Sequence, residues 1–150
     1  MPEHAVAGTR DGHAHATVVT SKREIAADDF FLGLFTTALE EDELITAIRF
    51  PIPKRAVYEK LRQKASHFPL VGVFLAQYDG GVRVAITGAG NGVFRHTGLE
   101  EALNQSFTPE AAAAVTIDAS DLNSDLHASA PYRANLISVL TQRAVRAALG

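Results

Sequence analysis

The stretch from Leu70 to Thr87 reads LVGVFLAQYDGGVRVAIT. Its first half, LVGVFLAQY, is apolar on both faces, Asp79-Gly80-Gly81 supplies turn residues, and Val82, Val84 and Ile86 then alternate with Arg83, Ala85 and Thr87. A period of two places alternate side chains on opposite sides of an extended strand, and Asp-Gly between two such runs is a strong short-range hairpin signal. The expected structure is an antiparallel hairpin with one side facing a core.

A hairpin alone is marginal in water and needs a covering layer. The longest helical pattern, from about Pro131 to Leu149, offers one: Leu136, Leu140, Ala144 and Ala147 recur on one face, widened by Ile137 and Ala148. Arg133, Gln142 and Arg146 are expected on the wet side. Ser129 is the expected N-cap, with Ala130, Pro131 and Tyr132 opening the helix. Leu99 to Leu103 predicts one or two helical turns, and Thr108-Pro109-Glu110 marks a further start, with Thr108 as cap and Glu110 beside the positive helix end. These elements together predict an α+β fold, a small antiparallel sheet packed by helices on one face.

Towards the N-terminus, residues 14 to 19 (AHATVV) have strand composition, and Ser21-Lys22-Arg23 interrupt them. Asp28 or Asp29 is expected to cap a short turn into Phe30-Phe31, with Gly33 preventing a long helix. Leu44 to Phe50 reads as a strand stopped by Pro51 and Pro53. Residues 56–68 (AVYEKLRQKASHF) are open between strand and helix, because Tyr58, Leu61 and Ala65 fall near helical spacing while Val57 and Tyr58 favour strand. The compositional shift after Pro53 suggests a boundary. Residues 14–53 are too short and too apolar to stand alone, so something else is expected to cover them.

Composition narrows the function classes. The chain has 150 residues, 47% hydrophobic, and a formal net charge of -3, which gives no electrostatic case for nucleic acid or an anionic membrane. It has no cysteine, so disulfides, thiolate zinc sites and Fe-S ligation by this chain are excluded. No segment has the length and hydropathy of a bilayer span, and the lead MPEHAVAGTRDGHAHATVV lacks the apolar run of a secretory signal, which points to a cytoplasmic protein. His4, His13 and His15 sit in this lead without a supporting carboxylate, and residues 1–13 read as a flexible leader rather than a metal site.

Four local patterns could carry chemistry. Gly88-Ala89-Gly90-Asn91-Gly92 follows a strand, yet it lacks the Lys and Ser/Thr of a phosphate loop and is followed by Val93-Phe94-Arg95 rather than a long helix; a tight strand-to-strand crossing is expected. Asp125, His127 and Ser129 are spaced like one side of an extended segment, but no nucleophile elbow or oxyanion hole accompanies them. Glu40, Glu41, Asp42 and Glu43 lack the spacing and glycine of a calcium loop and read as a solvated acidic segment. Lys54, Arg55, Lys60, Arg62 and Lys64 form a basic stretch that suits either a wet face or the edge of a phosphate or flavin.

Three ordered motifs carry a resemblance. KREIAADDFFLGLFTTALEEDELITAIRFPIP, YEKLRQKASHFPLVGVFLA and SDLHASAPYRANLISVLTQRAVRAAL together resemble the FAD-binding (medium) subunit of the molybdenum hydroxylases, the group that contains carbon monoxide dehydrogenase and xanthine dehydrogenase. The resemblance covers about 130 residues and implies the C-terminal portion of such a subunit: the tail of an FAD-binding domain at 14–53, then the family's C-terminal α+β domain at 54–150. One departure is His67, where the family commonly has an acid, which changes charge and hydrogen-bond capacity there. A second is the absence of the glycine-rich loops that hold the FAD pyrophosphate in the family.

The resemblance implies a role in positioning FAD, which receives electrons from [2Fe-2S] clusters in a small subunit after hydroxylation at a molybdenum cofactor in a large subunit. It implies those two subunits as partners, and a companion chain bearing the glycine-rich loops. By carry-over, Lys60 is placed near the flavin pyrimidine edge, with Arg62 allowed by the local register. Leu61, Ala65 and Phe68 would form an apolar wall. Asp29, Phe30 and Glu43 are expected to be structural, Ser129 a cap, and Tyr132 with Arg133 an anchor for the final helix. No catalytic acid, base or nucleophile is expected, and an isolated chain would be inactive. The competing expectation is a noncatalytic subunit-interaction domain without FAD.

Overall fold

The computed structural model describes residues 16–33 and 36–150. The leader expected at residues 1–13, and the histidines His4, His13 and His15, lie outside them. The chain divides into two compact units between Ile52 and Pro53.

The first unit contains β1 (Thr17–Thr20), β2 (Glu24–Ala26), the short helix α1 (Ala27–Phe30), β3 (Phe31–Gly33), β4 (Thr36–Thr37) and β5 (Ile45–Arg49). Its main sheet has the order β2-β1-β5, with both pairings antiparallel, and β3 pairs with β4. In the register, Val18 lies between Ile25 and Ile48, and Val18, Ile25 and Phe30 form a small buried cluster. The strand expected near Leu44–Phe50 is present as β5. The expected aspartate cap is not: Ala26 occupies the N-cap without a side-chain bond, and Asp28 and Asp29 lie in the first turn. Carboxylates there still favour the positive end of the short helix.

The second unit is built on a four-stranded antiparallel sheet of order β6-β7-β8-β9, from β6 (Arg55–Arg62), β7 (Pro69–Tyr78), β8 (Gly81–Thr87) and β9 (Phe94–Arg95). The predicted hairpin is β7–β8, closed with Tyr78 opposite Gly81. The ambiguous segment resolves as a strand up to Arg62 and a loop beyond it: eight residues of β6 pair along β7, and this ladder satisfies backbone groups that a short isolated helix would leave partly open.

Three helices, α2 (Thr97–Gln105), α3 (Pro109–Ala113) and α4 (Ala130–Leu149), complete the unit. Val71, Val73 and Leu75 of β7 and Val82, Val84 and Ile86 of β8 join Leu99, Leu103, Ile137, Leu140, Ala144 and Val145 in one continuous core. Fully burying each larger aliphatic side chain contributes about 1.5–3 kcal/mol. Thr141 sits inside this core without penalty, because its hydroxyl donates to the Ile137 carbonyl at 2.7 Å. The helix starts follow the expected capping chemistry, with Thr108 accepting from the Ala111 amide and Ser129 from the Tyr132 amide.

The stripe on α4 differs in two places from the sequence pattern. Ala147 is exposed and Val145 is buried instead, and Arg133, expected to be wet, is only 3% exposed. A second buried charge binds β9 to α2. Glu100 accepts from the Val84 amide at 3.0 Å and from Arg95 Nε at 2.9 Å, in an ion pair that closes with Arg95 Nη2.

Candidate functional site

Strand alternation decides which residues of β6 can act together. Val57 and Leu61 pack against the core, so Tyr58 and Lys60 lie on the sheet face turned away from the helices. Across the sheet Lys60 is opposite Gly72, and Gly72 is opposite Thr87. A Cβ at Gly72 would lie 2.4 Å from the Tyr58 hydroxyl and 2.5 Å from the Thr87 hydroxyl. The missing side chain is therefore what lets Tyr58 Oη and Thr87 Oγ1 approach to 3.2 Å and share a hydrogen bond. Lys60 Nζ stands 5.4 Å from the centroid of the Tyr58 ring, within cation–π range. The result is an aromatic surface with a cation at its margin. Such a surface can receive a planar group and favour negative charge at the edge of that group.

The residues expected to share the site are not all on one surface. Leu61 pairs with Val71 and packs on the core side, opposite in direction to Lys60. Arg62 follows a register shift at the end of β6 and is exposed. Ala65 and Phe68 are exposed in the following loop, where Phe68 retains 72% of its accessibility. That loop is closed by the Gln63 amide donating to the Phe68 carbonyl at 2.8 Å and the His67 amide donating to Gln63 at 3.0 Å. His67 adopts φ of 60°, a left-handed conformation in which Asn, Asp and His are enriched among non-glycine residues. Sequence reasoning passed over Tyr58 and Thr87 as site members. The Tyr58-x-Lys60 spacing was the available signal once the segment is a strand.

The Asp125, His127, Ser129 set is architectural. Asp125 Oδ1 accepts the amides of His127 and Ala128 at 2.9 and 3.1 Å, while Oδ2 accepts from Arg133 Nη2 at 2.7 Å. These bonds, led by the His127 amide, hold the Asp125 carboxyl below its usual range. Arg133 Nη1 donates to the carbonyls of Leu70 at 2.7 Å and Gly88 at 2.9 Å. The guanidinium thus ties the start of α4 to both strands of the hairpin. Gly88 has φ of +74°, and a Cβ there would lie 2.5 Å from the Pro69 carbonyl, so this crossing needs glycine. Tyr132, one residue away on the helix, is 45% exposed.

In the first unit the acidic run is not uniformly solvated. Glu43 is buried and accepts from Thr20 Oγ1 at 2.6 Å, Arg23 Nε and Nη2 at 3.1 Å each, and the Glu40 amide at 2.8 Å. Arg23, then Thr20 and the Glu40 amide, pull its pKa down to about 2. Four donors repay the desolvation of the carboxylate. Phe30 is buried beside this node's sheet and Asp29 is exposed. Among the described residues no group of His, Cys, Asp and Glu is placed to hold a metal ion, and no helix is long and apolar enough to cross a membrane.

No protein-family model matches the chain. It is 34% identical over 145 residues to the nicotine 6-hydroxylase medium subunit of Paenarthrobacter nicotinovorans, a match taking in 90% of this chain and 51% of that protein. It is 32% identical over 139 residues to the carbon monoxide dehydrogenase medium chain of Hydrogenophaga pseudoflava, covering 85% of this chain and 48% of the other. The solved carbon monoxide dehydrogenase of H. pseudoflava, in a form lacking the Mo-pyranopterin moiety of its cofactor, superposes with a TM-score of 0.70 at 29% identity, over 90% of this chain and 53% of that one.

The chain is a homologue of the medium subunits of molybdenum hydroxylases. The relatives are medium chains of the carbon monoxide dehydrogenase and nicotine 6-hydroxylase type, and this chain spans about half the length of the curated relatives it matches, consistent with a C-terminal portion. Its α+β fold is that of the carbon monoxide dehydrogenase medium chain.

Proposed function

We propose that the chain is part of the flavoprotein subunit of a cytoplasmic molybdenum-containing hydroxylase or dehydrogenase, where it helps position FAD between [2Fe-2S] clusters and an electron acceptor. The observation that carries this reading is the pairing of Lys60 with Tyr58 on the helix-free sheet face of a medium-subunit fold. Bound flavin would supply the redox chemistry, and the protein contributes orientation and electrostatics. In this reading Lys60 sets a positive charge against the pyrimidine edge, the Tyr58 ring offers an apolar surface, and the bond to Thr87 holds that ring in place. Leu61 braces β6 from the core side, and Arg62 and Phe68 form the rim at the strand end.

These residues fit the ring end of FAD and not its pyrophosphate. Gly88–Gly92 joins β8 to β9 and opens no helix, so it does not make the amide cradle a pyrophosphate requires. Holding FAD would fall jointly to this chain and to a segment that supplies that cradle. An Fe-S small subunit and a molybdenum large subunit are the further partners of this reading.

Native mass spectrometry of gently purified material tests it. The expected result is a complex with those subunits and one FAD, from which Lys60→Gln loses flavin or shifts its reduction potential downward. A folded chain that travels alone and without flavin overturns the proposal and leaves a noncatalytic interaction domain.

A further inference from the structure

The connection from β8 to β9 carries a chemically reactive pair. Asn91-Gly92 is the one place in the chain where asparagine precedes glycine. Both residues are exposed, in a bend between Thr87 at the end of β8 and Phe94 at the start of β9. Among the described residues, neither the Asn91 carboxamide nor the Gly92 amide makes a hydrogen bond. A Cβ at Gly92 would meet nothing within 4 Å, so no neighbour crowds the backbone there.

The two ends of the connection are held. The Ala89 carbonyl accepts from the Asn123 amide at 2.9 Å, Phe94 is in register with Ile86, and the His96 amide donates to the Val84 carbonyl at 3.0 Å. Between these ties Asn91 is free to fold its side chain back on the next amide. The other asparagines are placed differently. Asn104 Oδ1 accepts from the Val82 amide at 2.8 Å, Asn135 lies inside α4, where the following amide is bonded along the helix, and Asn123 is followed by the side chain of Ser124. Asparagine is a thermolabile residue, and a following glycine presents no Cβ to hinder attack on the carboxamide.

We propose that Asn91-Gly92 is a site of spontaneous self-modification. The Gly92 nitrogen gives up its proton and attacks Asn91 Cγ; the new N–Cγ bond closes a succinimide ring, the Cγ–Nδ2 bond breaks, and ammonia leaves carrying that proton. Water then opens the ring. Addition at Cγ breaks the new N–Cγ bond and leaves an aspartyl residue, whereas addition at the main-chain carbonyl breaks the original peptide bond and leaves an isoaspartyl linkage. Either product adds one negative charge to a chain of formal net charge -3. The isoaspartyl product also brings Cβ into the main chain, lengthening a segment tied at Ala89 and Phe94 and loosening the two-residue strand β9. This inference does not depend on the FAD assignment.

Ageing the purified full chain in mildly alkaline buffer, against an unaged control, tests it. Trypsin cleavage after Arg83 and Arg95 releases residues 84–95, which contain Asn91 and no other amide side chain. This peptide is expected to convert progressively to two products with the mass gain of amide to acid, one of them accepting a labelled methyl group from an isoaspartyl methyltransferase. The folded chain is expected to convert within several-fold of the rate of a synthetic 84–95 peptide, while Asn104, Asn123 and Asn135 stay unchanged. Gly92→Ala has room at its position and is expected to slow conversion several-fold, and Asn91→Gln to abolish it. Amide exchange at residues 94–96 is expected to accelerate in the isoaspartyl fraction. A folded chain that stays unmodified while the free peptide converts overturns the proposal, as does earlier conversion at Asn123 or indifference to Gly92→Ala. Unchanged exchange in the isoaspartyl fraction overturns the effect assigned to β9.

Discussion

The two units of this chain solve the same problem with unequal means. Both are small antiparallel sheets with an apolar side. In residues 53–150 the apolar side is closed by three helices, and the strands and helices share one core from Val71 to Val145. In the first unit, among the described residues, the four-residue helix α1 supplies Phe30 to the small cluster with Val18 and Ile25, and the strongest single feature is polar, the Glu43 node. A closed core and a polar pin respond differently to mutation, to pH and to partners. The difference, among the described residues, is between a sheet closed over a continuous apolar core and one whose buried apolar clusters are small and whose strongest node is polar.

The largest expected effect tests the closed core. Leu140→Ala removes a side chain that is 1% exposed and is expected to cost about 2–5 kcal/mol in urea unfolding. A change of only a few tenths would mean that the two units are alike after all. Arg133→Met comes next. It keeps volume while leaving the Leu70 and Gly88 carbonyls without their donor, for an expected loss of about 1–3 kcal/mol by the same assay.

A pH-gated effect is expected in the first unit. Glu43 has a folded pKa of about 2 against an ordinary 4.5, so the unfolded chain binds its proton first as pH falls. The stabilisation is complete above about pH 4.5 and is lost as pH drops towards about 2. Hydrogen exchange of β1 and β5 amides is expected to accelerate through that window, and Glu43→Gln to remove the acid dependence while leaving the β7–β8 amides unchanged. The smallest effect sharpens the contrast: Ile48→Ala, at a half-exposed edge, is expected to alter stability by no more than about 0.5 kcal/mol in the isolated chain. A loss comparable to that of Leu140→Ala would show that β5 is already covered.

Much of the second unit was legible because its signals are local. Alternation of Val82, Val84 and Ile86, the Asp79-Gly80 turn, and the caps Thr108 and Ser129 act over a few residues, and their elements lie where those residues predict. The segment from Ala56 to Phe68 was not, since its apolar residues satisfy both periods. Pairing with β7 decided it, and that decision separated Lys60 from Leu61 by putting them on opposite faces. Within the candidate site, Lys60 could be reached through family resemblance, while its neighbours required the sheet. Tyr58 and Thr87 are 29 positions apart and meet only above Gly72.

The sequence by itself determined the hairpin, the capped helices, the α+β class and kinship with medium subunits, because these depend on short-range periodicity, capping chemistry and ordered motifs. Tertiary structure alone decided the fate of the charges. Arg133 reads as a wet helix position until its reach across 63 and 45 residues to Leu70 and Gly88 is seen, and Glu43 reads as one acid among four until Thr20 and Arg23 arrive from 23 and 20 positions away. A charged group is buried only when donors from distant segments replace its water, and no local pattern records which donors those will be.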